Sequence, residues 1–126
     1  MLESIILPNS SMPVAKPTST FTGEVYLDLL HADSQVALAN VTFTPCARTH
    51  WHTHVGGQVL HVTAGQGRIG TRAGETAIVR TGDVVFFGPG EEHWHGADPQ
   101  TFMVHLAVSL GAHDWLDPVT DEEYLA

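Results

Sequence analysis

Residues 49–58 read Thr-His-Trp-His-Thr-His-Val-Gly-Gly-Gln, with His50, His52 and His54 at alternate positions and Gln58 four residues later. In an extended strand, residues two apart share a face. His52 and His54 therefore project together, and Gln58 returns to that side if the strand parity resumes after Gly56 and Gly57. A second His-x-His, His93 and His95, lies in GPGEEHWHG, and FMVHLAVS adds His105. Five histidines and a glutamine (His52, His54, His93, His95, His105 and Gln58) converge if the strands close around one cavity. Neutral imidazole is the commonest biological ligand for zinc, copper, iron and nickel. Two His-x-His pairs, each beside a glycine turn, make metal binding the chemistry to expect.

The elements that must position these groups are short strands. Candidate strands are EVYLDLL (24–30), QVALANVTF (35–43), QVLHVTAG (58–65), GRIGTRAG (67–74), ETAIVR (75–80), DVVFFG (83–88) and TFMVHLAVSL (101–110). Several alternate or are rich in Val, Phe and Thr, and each is bounded by Gly, Pro, Asp or Asn. Twelve glycines and seven prolines fit a chain of many turns. The pattern predicts an all-β sandwich or barrel. Only the end reads as helix: Asp117 is a candidate cap with Pro118 at a first helical position, and Thr120-x-x-Glu123 is a capping-box pattern. Residues 1–22, rich in Ser, Thr and Pro, read as an N-terminal arm or edge strand. Residues 23–126 read as a single domain, and a chain of 126 residues is long enough for a core of its own.

Fourteen acidic against five basic residues give a formal net charge of −9. A surface of that sign repels phosphate backbones and anionic membranes, so neither nucleic acid nor a membrane is an expected partner. No apolar run approaches the ~20 residues of a bilayer span. The first residues lack the basic and apolar regions of a signal peptide, and a lone cysteine, Cys46, forbids an intrachain disulfide. The expected location is cytoplasmic.

The spacing resembles a known family. Cys46, five residues, His52-x-His54, three residues, Gln58, six residues, Gly65 is similar to the first cupin motif. Gly82, five residues, Gly88-Pro89-Gly90, two residues, His93 is similar to the second, sixteen residues further on. Cys46 stands where the motif has Gly, Gln58 where it has Glu, Gly88 where it has Pro, and Ala97 where it has Asn. The resemblance implies a cupin fold, a double-stranded β-helix or jelly-roll barrel, here with a short C-terminal helix. The blocks ARTHWHTHVGGQ, TAGQG, GDVVFFGPGEEHWHGA, MVHLA and VTDEEY resemble the small bacterial cupin hydroxynitrile lyases, part of a wider group related to carboxymuconolactone-decarboxylase proteins. That resemblance implies one divalent metal ion per chain, manganese first, with iron, nickel or zinc as alternatives. It implies metal ligation by His52, His54, Gln58 and His93, polar active-site roles for Thr49, His95 and His105, and pocket walls at Ala39 and Val41. It also implies a small-molecule substrate. Small cupins usually pair, so a homodimer or higher homo-oligomer is expected, with the N-terminal arm crossing to the partner.

Gln58 would bind through a neutral carbonyl oxygen, so this ligand set keeps the cation's full charge and its Lewis acidity. The leading expectation is a lyase that cleaves or forms small cyanohydrins, with His105 as base and His95 and Thr49 orienting the substrate. An iron-dependent cupin dioxygenase and a non-catalytic metabolite-binding cupin are the alternatives, since this fold hosts many functions. Other residues are expected to be structural. His50 belongs at the rim or surface, His61 points out of the barrel, and His31 and His113 lie on the surface. Trp51 and Trp94 face away from the ligands into packing or a subunit contact, and Trp115 anchors the C-terminal segment. Cys46 is a buried inert thiol, Arg48 an exposed charge, and Glu91 and Glu92 solvated turn residues. Gly65, Gly82 and Gly90 are turn glycines. Val84, Phe86, Phe102, Val104 and Leu106 form core or cavity wall.

Overall fold

The computed structural model describes residue 6 and residues 13–126. Its eleven strands are β1 (Phe21–Thr22), β2 (Val25–Ala32), β3 (Val36–Phe43), β4 (Arg48–Thr49), β5 (His52–His54), β6 (Gln58–Thr71), β7 (Thr76–Arg80), β8 (Val84–Phe87), β9 (His93–Ala97), β10 (Met103–Leu110) and β11 (His113–Trp115). One helix, α1 (Asp121–Leu125), follows. All the pairings are antiparallel. One curved sheet runs β8-β6-β10-β3-β2, the other β1-β4-β9-β6-β7, with β5 between β9 and β11.

The strand that joins the two sheets is β6. The sequence suggests two strands there, 58–65 and 67–74, but the chain passes through both sheets without a break. It bends at Gly65, which has a φ of 75°. A side chain there is excluded twice over: L-residues disfavour that angle, and a Cβ would lie 2.0 Å from the Phe102 carbonyl oxygen. Gly82 and Gly90 also take positive φ, as expected of turn glycines. Strand β6 therefore serves as the hinge of the barrel, and the inward residues of both sheets meet across one interior.

Val25, Val41, Phe43, Val62 and Met103 fill the closed half of that interior. The histidines occupy the other half. Trp51 and Trp94 alternate with them and pack with Val119 and Tyr124 in a second apolar cluster, beneath the C-terminal segment. That segment is strapped down from several directions. Tyr124 Oη donates to the Ala97 carbonyl, Arg68 reaches the Tyr124 carbonyl, and Arg72 sits 3.9 Å over the Trp51 ring while pairing with Glu92 and Asp117. Burial pushes the Tyr124 hydroxyl up to about 12, so it stays a donor.

Several expectations are corrected. Arg48 is buried: its guanidinium donates to the Val119 carbonyl, pairs with Asp121 at 2.7 Å and lies 4.5 Å from the Tyr124 ring centre. The cause is the C-terminal strap, which covers the strand start that otherwise would face water. Cys46 is exposed, because its φ of 70° turns the side chain out of the barrel. The same angle explains the glycine usual in the motif. The helix begins at the Thr120 cap, with both halves of the capping box made; Asp117 instead accepts from Arg72. Val84, Phe86 and Phe102 are 65%, 63% and 46% exposed, and Val104 and Leu106 are half-buried. Their strand parity puts them on the outer face, and the interior takes Phe87, Met103, His105 and Ala107. Of the expected arm, Ala15 bridges to Leu27 and β1 pairs with β4 of the same chain; residues 1–5 and 7–12 lie outside the described residues.

Truncating the strap's anchor tests its contribution. Tyr124→Ala should cost about 3–5 kcal/mol in urea unfolding, the range for buried aromatic truncations. Tyr124→Phe, which keeps the packing and orphans the Ala97 carbonyl, should cost about 1–2 kcal/mol.

Candidate functional site

Antiparallel β5 and β9 set His52 directly opposite His93. Their ring centres are 4.2 Å apart, and the His54 and His95 rings each lie 5.1 Å from His52. Phe87 stacks on His93 at 3.7 Å and fixes its plane. His52, His93 and His95 each bring one ring nitrogen to within 4.8 Å of the others. This tight trio includes His95, expected as an orienting group, and leaves His54 slightly outside. Gln58 reaches the same place, its Oε1 2.9 Å from His93 Nε2.

Hydrogen-bond accounting tests whether a cation fits. His52 Nδ1 is 2.9 Å from the His50 carbonyl, and His93 Nδ1 is 2.8 Å from the Glu91 carbonyl. A carbonyl only accepts, so in each ring Nδ1 carries the proton and Nε2 of the neutral ring carries a lone pair. His93 Nε2 and Gln58 Oε1 are then two acceptors facing each other. That contact is repulsive for the bare groups, and a cation between such atoms removes the repulsion. Both ring nitrogens of His54 and Nε2 of His95 are buried without a partner among the described residues. Buried polar atoms without partners are costly, and these belong to rings whose centres lie 5.1 Å from that of His52. The donor set of imidazole nitrogens with one amide oxygen suits a first-row divalent ion.

His105 lies behind this group, fully buried, with Nε2 3.0 Å from His95 Nδ1. Its Nδ1 has no hydrogen-bond partner among the described residues. Thr49 is buried and accepts from the His95 backbone N–H. These groups open on a cavity of about 160 Å³. Ala39 and Val41 line it as expected, together with the small side chains of Ala37 and Ala107. An apolar cavity of ~150 Å³ accommodates a benzene-sized ring.

Residues outside the expected set also line the cavity. Strand β11 pairs with β5 and sets His113 opposite His54 and Trp115 opposite His52. His113, expected as plain surface, is exposed but sits at the cavity mouth. Trp115 packs 4.7 Å from His52 and 5.6 Å from Phe21 instead of merely anchoring the chain end. The alternation His113-x-Trp115 was the available signal. Ser109 also lines the cavity and accepts a hydrogen bond from Gln58 Nε2 at 2.9 Å. It shares its strand face with His105 and Ala107, so parity alone could have found it. His50 and His61 stay outside the cavity lining, Glu91 and Glu92 are exposed, and His31 bonds Asp33.

Burial dominates the electrostatics. It holds His52 down to about 3, aided by the neighbouring His93, and His54 and His93 down to about 4. His105 falls to about 3 and His95 well below its ordinary range for the same reason, with His105 adding to the effect on His95. All five rings are therefore neutral near pH 7, the state that binds metal or accepts a proton.

The barrel, the converging imidazoles and the two motifs define a cupin. The cupin domain family matches residues 39–109, and the chain belongs to that family. An (R)-mandelonitrile lyase from Granulicella tundricola is 50% identical over 115 residues, covering 86% of this chain and 88% of that protein. The crystal structure of a cupin-like protein from Thermotoga maritima superposes with a TM-score of 0.83 at 40% identity, covering 96% of this chain and 95% of the other. An acetylacetone dioxygenase from Acinetobacter johnsonii shares the fold, with a TM-score of 0.74 at 18% identity over 93% of this chain and 80% of that one. The three-histidine cluster fits a cupin metal site.

The neutral histidines make stability pH-dependent in the metal-free protein. Below the ordinary histidine range the unfolded chain takes up protons that the folded chain refuses. Their contribution is therefore complete above pH ~6.5 and is lost as pH falls from there toward ~3. Each such histidine should remove up to about 1.4 kcal/mol per pH unit. Urea midpoints of the metal-free protein should fall between pH ~7 and ~5; a constant midpoint would mean that the histidines titrate normally in the fold.

Proposed function

We propose that this cupin is a metal-dependent lyase that cleaves, and in reverse forms, aromatic cyanohydrins. The observation that carries the reading is the buried acceptor cluster at one end of an apolar, ring-sized cavity, with a second imidazole pair beside it. The half-identical mandelonitrile lyase supports the choice of substrate class. His52, His54, Gln58 and His93 would hold one divalent cation, with manganese first among the candidates. When bound, that ion supplies Lewis-acid stabilisation of the negative charge that develops as cyanide departs.

The chain's own groups do the rest. Cyanohydrin cleavage removes the hydroxyl proton, breaks the bond to the nitrile carbon and releases an aldehyde with hydrogen cyanide. His105 is the base, and the 3.0 Å contact with His95 lets the two rings act as one proton-accepting unit. Thr49 holds β9 in place through the His95 backbone N–H. Phe21 and Trp115 flank the cavity and keep water from the reacting end, while Ala37, Ala39 and Val41 leave room for a ring. Neutrality of His95 and His105 near pH 7 is what a base requires.

Assembly and location complete the proposal. Val84 and Phe86 form an exposed apolar stripe on β8, which a second copy of the chain would cover, giving a homodimer. No helix among the described residues is long and apolar enough to cross a membrane. A cytoplasmic location accompanies this reading.

Five measurements test it. Manganese-loaded protein should cleave mandelonitrile without consuming oxygen; oxygen uptake with no cleavage would favour a dioxygenase. His52→Ala or His93→Ala should abolish metal content by elemental analysis. His105→Ala should keep its metal and lose about 10²–10⁴-fold in rate; if it keeps nearly full activity, the base is His95. Gln58→Glu lowers the site's charge by one and should slow cleavage with metal retained. Light scattering should report a dimer.

A further inference from the structure

Gln58 differs from the histidines around it in one respect: its two terminal atoms have opposite chemistry and nearly the same shape. The carbonyl oxygen can face a cation and the amide nitrogen cannot. In the structure Oε1 faces His93 Nε2 at 2.9 Å. Turning the amide over would place an N–H on that lone pair, which is the better contact when no cation is present. The orientation that binds a cation is therefore opposed by local hydrogen bonding and needs support from elsewhere. His52 and His93 get theirs from backbone carbonyls. Gln58 gets its support from one side chain, Ser109, whose Oγ accepts from Nε2 at 2.9 Å. Thr49, the other hydroxyl of the cavity wall, is engaged by the His95 backbone N–H.

We propose that Ser109 is the positioning residue for Gln58: its hydroxyl accepts the amide N–H and keeps the carbonyl oxygen turned toward the cation site. This inference rests on the metal-binding reading above. Without the hydroxyl, the amide N–H loses its partner in the cation-binding orientation, and the turned-over amide satisfies itself on His93. The loss falls on cation affinity, before any chemistry occurs. A carboxylate at position 58 has two equivalent oxygens and no N–H to anchor, so it needs Ser109 far less.

Thr and Val have nearly the same shape, so the pair Ser109→Thr and Ser109→Val isolates the hydroxyl. Manganese chloride is titrated calorimetrically into the metal-free wild type and both variants, each with and without Gln58→Glu. Ser109→Thr should bind within about threefold of wild type, and Ser109→Val ~10–100-fold more weakly, the usual cost of losing an outer-shell partner. In the Gln58→Glu background, Thr and Val should differ by less than about threefold. Equal affinity of the Thr and Val forms would overturn the inference and leave the metal site standing. An equal loss in both backgrounds would also overturn it, as the mark of a packing role. Wild type that takes up no manganese would remove the metal reading and the inference together.

Discussion

Two hydrogen bonds at strand starts, His52 Nδ1 to the His50 carbonyl and His93 Nδ1 to the Glu91 carbonyl, decide what the cavity can do. Each fixes a tautomer and turns the opposite lone pair inward. Because β5 and β9 pair with His52 opposite His93, those lone pairs meet beside the Gln58 oxygen. The barrel then excludes water from the cluster, and burial keeps every ring neutral. Neutral rings with lone pairs aimed at one point have little to gain from each other. The site is built at a local cost that a cation offsets, which couples metal binding to stability.

Strand parity links this cost to the rest of the fold. The residues that alternate with the cluster histidines are Trp51 and Trp94, and they need cover on the opposite face. Val119 and Tyr124 supply it, and Arg48, Arg68 and Arg72 tie the segment in place. The inner face carries the chemistry and the outer face carries the packing that keeps β5 and β9 from moving. Arg48 is the plainest case: a charge at a strand start is buried because the chain end returns over it and offers a carbonyl, a carboxylate and an aromatic ring.

Much of the site was legible because period-two alternation is a local property. His52 and His54 share a face, as do His93 and His95, and His105 shares one with Ala107; no tertiary knowledge is needed for that. Gln58 opens the next strand beyond a turn, and the fold brings it back to the His93 ring. The two motif spacings carried the barrel. The same parity rule also held information that was passed over. Ser109 lies on the His105 face, and His113 and Trp115 alternate as the cluster histidines do. Their significance depends on partners more than fifty residues away in sequence, Gln58 for Ser109 and β5 for β11.

The sequence by itself determined which side chains point together, because a strand's pleat assigns faces residue by residue. It also determined that the chain is acidic and that Gln58 brings no charge to the histidine cluster. Tertiary structure decided which faces meet. It merged two expected strands into β6 by bending at Gly65, turned Val84 and Phe86 outward, buried Arg48 and exposed Cys46. It also brought a ring nitrogen of His95 within 4.8 Å of those of His52 and His93 and gave Gln58 its hydroxyl partner. The physical reason is that register between distant strands is set by closing the whole barrel, and no short window of residues contains that constraint.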